Sequence, residues 1–98
     1  MTYENSEAPQ PIAPVVHDLK IWPEWFHQIM VGAKRFDIRK NDRNYRGGDT
    51  LWLRELTPNP NGSPAQGTYS GRTMSVRVMG IYVDMPGVLP DHVVLLIG

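Results

Sequence analysis

Apolar and polar positions alternate in several short stretches of this chain, and the stretches are separated by segments dense in Pro, Gly and Asn. In VVHDLKI, Val15, His17, Leu19 and Ile21 fall on one side and Val16, Asp18 and Lys20 on the other, the two-residue period of a half-buried strand. The period then changes. Trp22, Trp25, Phe26, Ile29 and Met30 recur at i, i+3, i+4, i+7 and i+8, which predicts a helix over about Pro23 to Val31 with this stripe against the core. Pro23 suits the first turn, where its missing N–H would have had no intrahelical partner. Gly32 suits the left-handed position after the last turn.

Beyond Gly32, KRFDIRK alternates again, with Phe36 and Ile38 expected toward the core and Arg35, Asp37 and Arg39 on the opposite face. Lys34 is placed on the other side from Asp37, at the junction after the helix cap. The polar NDRNYRGGD reads as a turn-rich connection, after which TLWLREL resumes as a strand with Leu51 and Leu53 inward. Residues Thr57 to Gly71, TPNPNGSPAQGTYSG, hold too much Pro, Gly and Asn for a paired element and are expected to form a long exposed loop. From Arg72 to Val83, Met74, Val76 and Val78 alternate with Thr73, Ser75 and Arg77, predicting a strand that pairs with the preceding one. After a turn around Pro86, Gly87 and Pro90, HVVLLIG is the final buried strand.

The predicted order is therefore β, α, β, β, β, β. A chain of 98 residues encloses one modest core, so residues 15–98 are assigned to a single domain. Residues 1–14, with Pro9, Pro11 and Pro14, are expected to be a flexible tail. Five short strands with one helix are too little sheet for a doubly wound fold. The fold class expected is α+β, a small β-barrel capped by the helix.

Composition narrows the chemistry. There is no Cys, which removes disulfides, thiolate metal sites and cysteine nucleophiles and fits a reducing compartment, so the cytoplasm is expected. The opening MTYENSEAPQPIAP lacks a basic start and an apolar run, so no secretory signal is expected. No stretch approaches the ~20 apolar residues of a membrane span, and no membrane association is expected. His17, His27 and His92 lack partners at ligand spacing, so neither a metal nor a cofactor is expected.

Net charge is zero, but its distribution is uneven. Residues 34–54 carry seven basic side chains against three aspartates, a net of +4, whereas residues 1–33 sum to −3 and residues 55–98 to −1. An anion-binding face should thus centre on the middle of the chain. There, Arg39, Lys40, Arg43 and Arg46 interleave with Asn41, Asn44 and Tyr45, combining phosphate-binding charge with amide hydrogen bonding and a ring for stacking. Such a loop suits unpaired bases better than duplex DNA, because it offers no recognition helix for a major groove. The plainer alternative is a solvated turn held by Asp42 and Asp49.

Asp37 and Arg39 alternate onto one strand face, where they can pair, and Arg35 is close enough to compete for the carboxylate. As surface ion pairs these would contribute about 0–1 kcal/mol each. His17 with Asp37 would make an acid–base pair, although a strand histidine is more often structural. Trp22, Trp25, Phe26 and Phe36 are assigned to the core. Trp52 alternates opposite Leu51 and Leu53, beside Arg54, and is a candidate stacking floor that Tyr69 and Arg72 would close over.

The strings HDLKI, PEWF, GAKRFDIRKNDR, GDTLWLRE, YSGR and VVLLIG, from about His17 onward, resemble a small group of phage and bacterial proteins in the ASCH branch of the PUA-like superfamily. The superfamily pattern is a Gly, a Lys two on, an acidic residue or Thr three further and an Arg two beyond. Gly32, Lys34, Asp37 and Arg39 meet it, with Asp37 where the small group usually has a glutamate. The resemblance implies a PUA-like, ASCH-type barrel of about five strands with one capping helix. Relatives of that kind include proposed RNA-binding modules, a ribonuclease-like activity and an amidohydrolase acting on an acylated cytidine.

The leading expectation is a module that binds single-stranded RNA or a nucleotide in a basic crevice between helix and barrel. Lys20, Lys34, Arg39, Lys40, Asn41, Arg43 and Arg72 would serve the phosphates and Trp52 or Tyr69 a base. The enzymatic alternative is a hydrolase acting on RNA or on a modified nucleoside, with Lys34 as base or nucleophile, Asp37 as its partner, Arg39 stabilising developing negative charge and His17 assisting. Glu55 is the sole downstream carboxylate considered for a third catalytic group. A third alternative is a phage or mobile-element protein that contacts a host protein through the tail or the long loop.

Overall fold

The computed structural model describes residues 13–60 and 67–98. Most of the expected tail, residues 1–12, and the middle of the expected long loop, residues 61–66, lie outside the described residues, and with them the surfaces assigned to a host protein. The elements are β1 (Val16–Ile21), α1 (Pro23–Met30), β2 (Phe36–Lys40), β3 (Thr50–Thr57), β4 (Thr68–Tyr82) and β5 (His92–Ile97), in the order the periodicities predict.

Local chemistry explains the first turn of the chain. In β1, His17, Leu19 and Ile21 face inward, while Val15 precedes the strand and is exposed rather than sharing that face. Pro23 opens α1, and Gly32 at φ 80° ends it. The Gly32 N–H donates to the Ile29 carbonyl and the Ala33 N–H to the Gln28 carbonyl, at 3.0 and 2.9 Å, the paired bonds of a Schellman cap. The helix packs on β3. Its eight residues bury Phe26 and Ile29, whereas Trp22, Trp25 and Met30, expected against the core, remain half-exposed because two turns can press only a narrow stripe onto the sheet.

The strands form one mixed sheet in the order β1-β3-β4-β5-β2. β1 runs parallel to β3, and the other pairs are antiparallel. β4, with 15 residues, joins the two halves: its first part pairs with β3 and its last part, from Val78, with β5. Irregularities at Arg54/Leu56 and Val78/Gly80 bend the sheet. β1 and β2 are left as the edges, and residues of both line a single crevice, so the sheet curls until its edges face each other across a gap. Among the described residues no ladder joins them. The architecture is thus α+β, a five-stranded mixed sheet with one helix.

Leu51, Leu53 and Leu95 are completely buried at the centre, with Leu19, Ile21, Phe26, Val78, Val93 and Ile97 around them. Each such side chain contributes about 1.5–3 kcal/mol relative to its exposed state. Tyr45, anticipated as an exposed stacking ring, is buried in this cluster. Its approach there follows from Asp49, whose carboxylate accepts the backbone N–H groups of Val15 and Arg46 and so folds the 41–49 connection back onto β1.

Two further expectations are corrected. In β2 the faces are reversed: Asp37 is 6% exposed, whereas Phe36 and Ile38 are 43% and 46% exposed. The register explains it, since Asp37 and Arg39 lie opposite the inward Leu95 and Val93, and Phe36 and Ile38 opposite Leu96 and Val94 on the outer face. β5 is apolar on both faces, so the alternation of β2 alone could not select one. The expected 57–71 loop is also shorter, because Thr68 and Tyr69 already pair with Thr57 and Leu56. Gly67 makes this possible: a Cβ there would lie 2.5 Å from the Thr57 carbonyl oxygen.

Candidate functional site

The crevice between the sheet edges has a volume of about 470 Å³. The helix cap delivers Lys34 to it and the inward face of β2 delivers Asp37 and Arg39. Lys34, expected on the opposite side from Asp37, instead lies with its Nζ 3.7 Å from Asp37 Oδ1. Arg39 Nε donates to Asp37 Oδ2 at 2.6 Å. One buried carboxylate therefore holds two cations, which leaves the cluster with a net positive charge. Arg35 takes no part in it; its side chain is exposed and forms no ion pair with Asp37.

The walls are aromatic. Trp22, Trp25 and Phe36, assigned from sequence to the core, line the crevice, and Lys34 Nζ sits 4.6 Å from the Trp25 ring centroid and 5.3 Å from that of Phe36. The ammonium is thus held by ring faces as well as by the carboxylate. The missed signal was the width of the helical stripe, since five apolar positions are more than an eight-residue helix can bury.

His17 lies elsewhere. Its partner is Asp49, not Asp37: Nε2 donates to Asp49 Oδ2 at 2.8 Å, and the ring packs on Tyr45 with centroids 4.8 Å apart. Burial acts to raise the Asp49 pKa, but the hydrogen bonds from His17, Val15 and Arg46 outweigh it and hold the carboxyl below its ordinary 3.8. This buried pair anchors β1 to the 41–49 connection, and neither of its residues lines the crevice.

Trp52, Tyr69 and Arg72 are brought together at a smaller hollow of about 150 Å³ on the outer face of β3 and β4. Arg54, expected beside Trp52, belongs with them. Its guanidinium carbon is 4.1 Å from the Tyr69 ring centroid and 5.3 Å from that of Trp52, and its Nε is 3.1 Å from Asp18 Oδ1 but poorly aligned for a hydrogen bond. Trp52 and Arg54 are two apart on one strand and therefore share a face. Glu55 is buried beside this hollow, accepting from Ser70 Oγ at 2.6 Å and lying 3.9 Å from Arg72 Nε.

Lys20 and Arg43 flank the crevice, with Arg43 donating through a terminal nitrogen to the Asp18 carbonyl at 3.0 Å. Lys40 and Asn41 point to solvent beyond it, and the Asn41 backbone N–H is taken by the Asp91 carbonyl. Among the described residues no three His, Cys, Asp or Glu side chains cluster as metal ligands, and no helix is long and apolar enough to cross a membrane.

Residues 16–97 match the family described as a domain of unknown function, DUF3850. The chain is also 35% identical over 80 residues to an uncharacterized 12.9 kDa protein in the GpA 3' region of Escherichia phage P2. That similarity covers 82% of this chain and 65% of the phage protein, just under two thirds of the relative's length. Because the family match runs through every strand and the helix, from the first residue of β1 to the last of β5, the chain belongs to the DUF3850 family.

Proposed function

We propose that this chain is an ASCH-like member of the PUA-like superfamily that binds RNA or a nucleotide in the crevice between β1, α1 and β2. The curled sheet is read as a small barrel left open between its edges, with α1 as the cap. The cytoplasm, which suits a cysteine-free chain, is its proposed location. The observation that carries the reading is the setting of Lys34 and Arg39, two cations fixed by one buried carboxylate at the foot of half-exposed aromatic walls. Cations so placed receive a phosphate, and the walls offer faces on which a base stacks.

The hydrolytic alternative uses the same residues, with Lys34 attacking or activating water and Asp37 exchanging the proton. The double pairing of Asp37 favours binding, because each of its oxygens already faces a cation. Titration with a nucleoside monophosphate, followed by tryptophan fluorescence at rising salt, tests the proposal. Saturable quenching that weakens with salt and is reduced several-fold in Lys34→Ala is expected. Absence of binding, or binding indifferent to salt and to Lys34, overturns it. Turnover of an N-acylated cytidine that disappears in Lys34→Ala would favour the hydrolase instead.

A further inference from the structure

Three hollows on this molecule share residues. The crevice shares Lys20 and Arg39 with a shallow saddle of about 370 Å³, and the saddle shares Arg54 and Tyr69 with the hollow beside Trp52. They therefore form one continuous track. Its middle holds Lys20, Arg39, Arg43 and Arg54, and among the described residues Asp18 is the one carboxylate lining the saddle. Even when Asp37 is counted against Arg39, cations remain in excess there.

Strand register produces this arrangement. Lys20 lies directly opposite Arg54 and Asp18 opposite Trp52 in the β1–β3 pair, so these side chains share the outer face of the sheet. Trp22 follows β1 at the crevice end, whereas Trp52 lies at the other. By strand rise the two positions are about 14 Å apart, too far for one base to touch both. Trp52 and Tyr69 are 36% and 41% exposed, and Arg54 stacks beside both rings, so they are ordered without being covered.

We infer that the ligand is a single-stranded polynucleotide of at least about four nucleotides, with one base in the aromatic crevice, another on Trp52 and Tyr69, and the connecting phosphates on the Lys20, Arg43 and Arg54 saddle. The inference rests on the crevice being a nucleotide site and adds a second station to it. Alternation of ring, cation and ring matches the alternation of base, phosphate and base. A duplex hides its base faces and has no use for the rings. A polyanion without bases would have no use for them either.

The test is a length series with the full chain: uridine monophosphate, then oligouridine of two, four and eight nucleotides, oligodeoxythymidine of equal lengths, and an eight-base-pair duplex. Affinity is expected to rise at least tenfold between the monophosphate and the tetramer and to exceed that for the duplex. Trp52→Ala and, separately, Tyr69→Ala should weaken the octamer about tenfold while leaving the monophosphate unaffected. Both side chains are substantially exposed, so the variants should fold; an unchanged monophosphate titration verifies it. A preference between ribose and deoxyribose series identifies the source of the strand, and either supports the track. Equal affinity for all lengths, equal affinity for the duplex, or octamer binding indifferent to both variants overturns it. The monophosphate arm reads the crevice alone, so its failure is distinct from failure of the second station.

Discussion

Arg39 donates through Nε to Asp37 Oδ2 across 2.6 Å, two residues away along β2, and this contact ties the cationic side chain to the inward face of an edge strand. Lys34 lies on the other oxygen of the same carboxylate, at 3.7 Å. Asp37→Asn would leave the two cations facing each other without a neutralising charge. The expected cost is about 1–3 kcal/mol, below that of a fully buried pair because both cations keep some contact with water. Urea unfolding of the variant at low salt measures it, and an unshifted midpoint would show that the cluster contributes nothing to stability.

The reversed faces of β2 give a second expectation. Leu53 is completely buried, so Leu53→Ala should cost about 2–5 kcal/mol. Phe36 is half-exposed at the edge, and Phe36→Ala should cost about 1 kcal/mol while removing one wall from the Lys34 ammonium. Comparable losses in the two variants, measured by thermal denaturation, would return Phe36 to the core.

Asp49 makes stability depend on acid. Its carboxyl is held below the ordinary 3.8 by the hydrogen bonds from His17, Val15 and Arg46, which outweigh burial. The folded chain therefore binds the proton less readily than the unfolded one, and the associated stability is full above pH 3.8 and is lost as pH falls toward the lowered value. Asp49→Asn should be less stable at neutral pH, by about 2 kcal/mol, and should show a flatter decline between pH 4 and 2. An equally steep acid decline in wild type and variant would assign the effect to other carboxylates.

Tyr45 acts at the opposite end of the scale. Burial pushes its phenol above the ordinary 10.0, against the opposing pull of Arg39 and Arg43. The unfolded phenol ionises first as pH rises, so this contribution is complete below pH 10 and is lost above it. Tyr45→Phe should remove that part of the alkaline destabilisation, and urea midpoints from pH 8 to 11 would display it. Parallel curves for the two proteins would contradict the assignment.

What the sequence made legible follows from how local each signal is. The helix was readable from Pro23 to its Gly32 cap because both ends are set by their own backbone chemistry. β1 and β3 were readable because apolar residues occupy one face of each. β2 was not, since its orientation depends on β5, more than fifty residues later and apolar on both sides. The start of β4 was hidden because Thr68 to Gly71 extend the hairpin beyond the core, where burial leaves no pattern. At the site, the residues of the Gly32 to Arg39 motif were identifiable and Arg54 followed from the strand period beside Trp52, but the aromatic walls of the crevice required the tertiary arrangement.

The sheet order also dictates how the molecule must be assembled. β3, β4 and β5 form a meander of successive neighbours, whereas β1 and β2, joined by α1, attach to its two opposite ends. The leading unit is a clasp around a frame made later in the chain, and the crevice exists only where its two arms meet. A chain with the meander formed but the clasp unfastened has a three-stranded sheet and no site. Any ligand lodged between the arms stabilises the fastened form by mass action, so it should slow amide exchange in β1 and β2 far more than in the middle of β4.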